Sequence, residues 1–473
     1  MSITMRHLLN IIIVLCVGLN WGCTEGTQER EVDSHTILVS SLFPSSSSSC
    51  VISPKASNTK SSLHVVHRHG PCSPHSSGNV ESTDQDDILR RDQERVNSIH
   101  SKLSKKLTDR VKPSQSTDLP AKDGSTIGSA NYIVTIGIGT PKHDLSLIFD
   151  TGSDLTWIQC GPCAAGSCYL QKEPIFNPSS SSSYANVSCS SPVCASLTSA
   201  GIGRECLAPN CFYGIEYADN SSSVGFLGKE KFTLTNSVVF DGVNFGCGID
   251  NHGHFHGVAG LLGLGRTKLS FPSQTATTYN NIFSYCLPSS ASFTGHLTFG
   301  SVGISNSVKF TPISSTGFAS FYGIDIVGIS VGDKKLEIPL TVLSTPGGII
   351  DSGTVITRLP PKAYEALRTA FKEKMSNYKA TLGRPRLDTC YDFTGLATVT
   401  VPKISFLFNG GAVVDLGAVG VLYGYDISRV CLAFAGNSND GDAAIFGNVQ
   451  QKTMQVVYDG PGNRVGFAPN GCN

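Results

Sequence analysis

Leu147-Ile148-Phe149-Asp150-Thr151-Gly152-Ser153 and Gly348-Ile349-Ile350-Asp351-Ser352-Gly353-Thr354 stand about two hundred residues apart in this chain. Each is an apolar run followed by Asp, a small hydroxyl residue, Gly and a second hydroxyl residue. The run reads as a strand and the remainder as a tight turn. A single Asp-Thr-Gly or Asp-Ser-Gly arises by chance in many chains, whereas a matched pair with matched flanks does not. Two carboxyl groups about 3 Å apart cannot both ionise, so the pair holds one proton across an acidic range. One member then acts as base on a water while the other acts as acid, which suits hydrolysis at low pH. Gly152 and Gly353 allow close backbone approach, and Thr151, Ser153, Ser352 and Thr354 are placed to orient the carboxylates.

Outward from these motifs the two halves repeat one plan. Tyr132, Val134, Ile136 and Ile138 alternate before the first motif, as Tyr322, Ile324, Ile326 and Ile329 nearly do before the second. After each motif comes an apolar-apolar-Gly element, Leu261-Leu262-Gly263 and Ile445-Phe446-Gly447, and Trp157 lies seven residues beyond Asp150. With these features the chain resembles the pepsin-like aspartic peptidases, and within them the plant nepenthesin-like branch, which includes proteins similar to the chloroplast nucleoid protease. The likeness runs from about Tyr132 to Cys472. It implies a mainly β, bilobal fold with a cleft between two related lobes, each supplying one carboxylate, and an aspartic endopeptidase whose catalytic residues are Asp150 and Asp351. It also implies a flap tyrosine partnered by Trp157; Tyr217 occupies that place, followed by Ala218 and Asn220 where the family has glycines.

Composition fits a secreted β-rich protein. Glycine is abundant at 49 residues, and 36 basic residues balance 36 acidic ones, which argues against nucleic acid or a membrane surface as partner. Residues 8–19 form an apolar stretch behind Arg6 and His7, too short to span a bilayer, so residues 1–24 read as a signal peptide. Secretion to the apoplast or delivery to the vacuole follows; a chloroplast address is the alternative. No membrane anchor is expected, and the chain is expected to act as a monomer. Residues 25–125 read as a propeptide, 126–315 as the N-terminal lobe and 316–473 as the C-terminal lobe. In residues 88–107, Leu89, Val96, Ile99 and Leu103 recur at helical spacing among charges. The basic cluster Lys102, Lys105, Lys106, Arg110 and Lys112 reads either as a solvated face or as a latch on the ionised cleft.

Without Cys16, Cys23, Cys50 and Cys72, twelve cysteines remain, and seven of them crowd between Asp150 and the flap. An even, dense set behind a signal peptide indicates disulfides and an oxidising compartment. The resemblance pairs Cys390 with Cys431 and Cys168 with Cys247, and leaves the rest open. Asn186 and Asn220 head glycosylation sequons, the second at the flap tip.

Other motifs carry weaker readings. Cys160-Gly161-Pro162-Cys163 has redox spacing but no βαβ context. Gly328-Ile329-Ser330-Val331-Gly332 has the spacing of a hydrolase elbow but is followed by a polar turn, so it reads as a strand and hairpin. Arg68-His69-Gly70 lies in the propeptide. His252, His254 and His256 fall in a Gly-rich connection without carboxylate or cysteine neighbours, so no metal is expected. The reaction expected is peptide hydrolysis by general acid and base catalysis without metal or cofactor, on peptide or protein substrates, with inhibition by pepstatin-like peptides. The rival reading is a catalytically silent binding or inhibitor protein of the same fold.

Overall fold

Alternation before the first motif produces a central strand buried on both sides. The computed structural model describes residues 33–43, 49–54, 60–75, 85–108, 132–163, 166–217, 221–253, 255, 257–314 and 320–472, except for the side chains of 104–108. Residues 1–24, Ala218, Asn220, His254 and His256 lie outside this set. Ahead of the first lobe lie β1 (Ser34–Leu38), β2 (Ser62–His67) and the helix α1 (Gln85–Thr108). They are followed by β3 (Tyr132–Ile138), β4 (His143–Asp150) and β5 (Trp157–Gln159). Tyr132, Val134, Ile136 and Ile138 enter one apolar core and Ile133 the other. Only Thr135 of β3 is exposed.

The repeated plan becomes a repeated sheet. Strand Gly260–Gly263 lies parallel to β4, Leu261 opposite Ile148, and antiparallel to β5 on its other side. In the second half Ala444–Phe446 lies parallel to Gly348–Ile350, Ile445 opposite Ile349, and antiparallel to Thr357–Leu359. Threonines fix both apolar-Gly turns alike: Gly263 N–H donates to Thr156 Oγ1 (3.1 Å) and Gly447 N–H to Thr357 Oγ1 (2.9 Å). The alternation after Tyr322 falters because strand Ile326–Val331 has a register shift between Ile326 and Gly328. Such a bulge turns the later side chains to the opposite face. The fold is thus mainly β and bilobal, the lobes built on one motif.

The segment ahead of the first lobe is woven into both. β1 pairs antiparallel with Thr398–Pro402, and β2 lies between β3 and Gly295–Phe299 inside the large sheet. Disulfide Cys50–Cys72 closes this segment on itself. In α1, Ile88, Leu89, Val96 and Ile99 are buried and Leu103 packs beside them. Asp86 and Asp87 in the first turn complement the helix dipole, and Arg90 pairs with Asp87 and Glu94 on the outer face.

Twelve cysteines of the lobes form six bridges. Cys390 pairs with Cys431 across adjacent strands. The expected Cys168–Cys247 pair is corrected: Cys247 pairs with Cys160, and Cys168 with Cys163. The cause is parallel pairing of β5 with Val238–His252, which sets Ile158 opposite Cys247 and leaves Cys160 within reach. The two cysteines of Cys160-Gly-Pro-Cys163 therefore go to different partners. Ser330 lies within a strand that turns back into Lys334–Lys335. His252 is exposed and bonded to Asp250 at 2.7 Å. Among the described residues no helix is long and apolar enough to cross a membrane.

Candidate active site

Both Asp turns arrive at one buried point. Asp150 and Asp351 are 1 % and 0 % exposed, and the turns clasp each other through their second residues. Thr151 N–H donates to Ser352 Oγ (3.1 Å) and Ser352 N–H to Thr151 Oγ1 (2.9 Å). This reciprocal pair fixes the two lobes' loops in register. Gly152 N–H donates to Asp150 Oδ1 (2.9 Å), Gly353 N–H to Asp351 Oδ1 (3.3 Å), and Thr354 Oγ1 to Asp351 Oδ2 (2.5 Å). A Cβ on Gly152 would stand 2.7 Å from Asp351 Oδ1, so the second carboxylate approaches only because that side chain is absent. Ser153 departs from its expected role: its buried Oγ has no hydrogen-bond partner among the described residues, although Thr354, its counterpart, bonds Asp351.

The Asp150 oxygens are instead met by Arg95 of α1. Arg95 Nη2 donates to Asp150 Oδ1 and to Asp351 Oδ1, both at 2.7 Å, and Nε donates to Asp351 Oδ2 at 2.7 Å. A single guanidinium, itself 1 % exposed, spans both carboxylates. Burial acts to raise the Asp351 pKa, but the charge and hydrogen bonds of Arg95, with those of Thr354 and Gly353, outweigh it and hold this carboxyl below its ordinary value. The same carboxylates raise the Arg95 pKa despite its burial.

Charge in the wrong place for a surface helix was the signal that sequence reading passed over. Asp92 and Arg95 fall on the buried stripe with Ile88, Val96 and Ile99, not among the solvated charges. Of the basic cluster, which reads either as a latch or as a solvated face, only the side chain of Lys102 is among the described residues. Lys102 is partly exposed and acts on Asp154, whose carboxyl burial pushes up to about 6 against the opposing pull of Thr267, Ser320 and Lys102. The side chains of Lys105 and Lys106, and Arg110 and Lys112 altogether, lie outside the described residues. Around Arg95, Val96 and Ile99 pack on Phe321, Ile349 and Ile445, while Ile88 and Leu89 pack on Val355, Ile356 and Leu387.

Trp157 Nε1 donates to Tyr217 Oη at 2.6 Å, with Phe255 edge-on to both rings. Tyr217 opens the turn that joins Asn210–Glu216 to Ser222–Thr235, its N–H donating to Ser221 O at 2.6 Å. Asn186 is exposed at the surface, its side chain bonded by Tyr184.

Comparison with known proteins decides the family. An aspartyl protease family protein of Arabidopsis thaliana is 72% identical over 471 residues, 99% of each chain. The chain belongs to the plant pepsin-like aspartic protease family. Aspartyl protease AED1 of the same plant is 65% identical over 99% of both chains, and aspartic proteinase nepenthesin-2 of Nepenthes gracilis is 38% identical over 73% of this chain and 78% of its own. Two domain families, described as xylanase inhibitor N-terminal and C-terminal, match residues 132–301 and 321–469. Soybean basic 7S globulin shares the fold at a TM-score of 0.58 and 20% identity, covering 71% of this chain and 92% of the globulin. As a member of this protease family the chain is an aspartic endopeptidase, acting on peptides or proteins.

Proposed function

We propose that this protein is made as a secreted, self-inhibited precursor of an acid endopeptidase, with the segment 25–125 as prosegment. The observation that carries the reading is Arg95, whose guanidinium fills the space between Asp150 and Asp351 where an attacking water must sit. Release of α1 leaves two carboxylates with one proton between them. The ionised one takes a proton from the water as it attacks the scissile carbonyl, and the protonated one donates to the carbonyl oxygen. The dyad then delivers a proton to the leaving nitrogen, with no covalent enzyme intermediate. Tyr217, held by Trp157, covers the reacting centre and excludes water. The enzyme acts as a monomer in the apoplast or vacuole and binds pepstatin-like inhibitors.

The test is acid-pH digestion of a denatured protein by the processed chain, read by mass spectrometry with and without pepstatin. Cleavage abolished by pepstatin supports the reading. Absence of cleavage under acid conditions, with the prosegment removed, refutes it and favours a silent binding protein, the reading that the inhibitor names of the two matched domain families support.

A further inference from the structure

One turn before Arg95, the same helix places a second charge in a socket of the C-terminal lobe. Asp92 is fully buried. Its Oδ1 accepts the Val355 N–H at 2.6 Å, and its Oδ2 accepts Arg358 Nη2 at 2.7 Å and the Ile356 N–H at 3.4 Å. Two backbone amides and a guanidinium converging on one carboxylate are a built anion site, and every donor belongs to the segment directly after Asp351-Ser-Gly-Thr354. Arg358 is itself 1 % exposed, and its Nε has no hydrogen-bond partner among the described residues. An open cavity of about 470 Å³ adjoins it, lined by Gln93, Arg358, Glu365, Arg368, Arg386 and Asp388. Glu365 and Asp388 are already bonded to Arg368. When α1 leaves, Asp92 leaves with it, and Arg358 is left with two amides and no carboxylate. The vacated socket favours a substrate that supplies a carboxylate in place of Asp92.

We infer that Arg358, with the Val355 and Ile356 amides, forms a substrate subsite for an acidic side chain, Asp or Glu, and that Asp92 stands in for that side chain while the prosegment is docked. This rests on the protease reading above. The subsite lies close to the chemistry. Asp92 precedes Arg95 by three residues, about 4.5 Å along a helix axis. An extended peptide advances about 3.3 Å per residue, so the acidic residue belongs within one or two residues of the scissile bond.

The experiment uses the full chain activated by acid and a peptide series at pH 5, where a free Glu is mostly ionised. At each of three positions on either side of the bond, Glu is compared with Gln and Lys, and Asp with Asn. At one position the acid should be preferred over its amide by about 10- to 100-fold in kcat/KM, the range for a hydrogen-bonded charge. In Arg358→Gln that ratio should fall to about one, and in Arg358→Glu it should turn toward Lys. Equal cleavage of acid and amide peptides by the natural enzyme overturns the subsite and leaves the protease reading intact. A preference that persists in Arg358→Gln overturns the assignment to Arg358. Cleavage of no peptide at all overturns the protease reading and the subsite with it. The peptide series needs no variant, so a variant that does not fold leaves the subsite testable.

Discussion

Replacing Arg95 by Gln keeps the helix and its apolar face but removes the cation between the two carboxylates. Three hydrogen bonds of 2.7 Å are lost from a site where all three partners are at least 98 % buried. Deleting one partner of a buried ion cluster costs about 3–5 kcal/mol. The dyad recovers part of this by taking up a shared proton, so the lower end, about 3 kcal/mol, is the better expectation. At 1.4 kcal/mol per tenfold, the ratio of docked to undocked helix should fall roughly a hundredfold. Activity of the uncleaved chain toward a short fluorogenic peptide at pH 6.5 should rise by a similar factor. The assay is the initial rate, taken before any cleavage of the chain is visible on a denaturing gel. Arg90→Gln is the control, since Arg90 pairs only on the outer face of α1 and such pairs contribute about 0–1 kcal/mol. If Arg95→Gln leaks no more than Arg90→Gln, Arg95 does not hold the site closed.

Asp150→Asn and Asp351→Asn should each abolish proteolysis in the digestion assay, and Asp351→Asn should also loosen α1, seen as faster hydrogen exchange of that helix. Because docking lowers the Asp351 pKa, its contribution is complete above the undocked value and is lost as pH falls through the docked one. Glu173, lowered chiefly by its hydrogen bond from His75 once burial's opposing effect is overcome, has the same sign. Burial raises the Asp92 pKa, which opposes both. Release should therefore accelerate below the ordinary carboxylate range, and Glu173→Gln should flatten its pH dependence in a stopped-time processing assay. Tyr217→Ala should lower kcat and kcat/KM equally on one short peptide; an unchanged kcat removes Tyr217 from the reaction. Replacing Cys390 and Cys431 by Ala opens a loop of 41 residues, about 4 kcal/mol, and should lower Tm by roughly 10 °C in a thermal melt.

What could be read from sequence was local and chemical. The Asp turns and the apolar-Gly elements carry their meaning in neighbouring residues, while the Trp157–Tyr217 pair was legible only through the family resemblance. Arg95 could not be read this way. Helical periodicity assigns a charged residue to the solvent, and what buries Arg95 are carboxylates 55 and 256 positions away. Asp92 was hidden for the same reason, its partner Arg358 lying 266 positions on. The Cys160–Cys247 bridge required knowing that β5 runs parallel to a strand formed after the flap, which cysteine counting does not reveal. Ser153 matched its counterpart in type and place, yet the two hydroxyls have different surroundings in the two lobes.

β2 is hydrogen-bonded on one side to β3 and on the other to Gly295–Phe299, while β1 is zipped to Thr398–Pro402. Cutting the chain between α1 and β3 severs none of these ladders. A nicked molecule should therefore travel as one particle on a size-exclusion column and separate into two only under denaturing conditions. Its purified mass on a gel and its activity at neutral pH will then disagree. Removing β2 also exposes two strand borders at once in the middle of a sheet, each a template for another chain. The first fully stripped molecules are those most prone to stick to one another, so the yield of active enzyme should fall as protein concentration during acid activation rises.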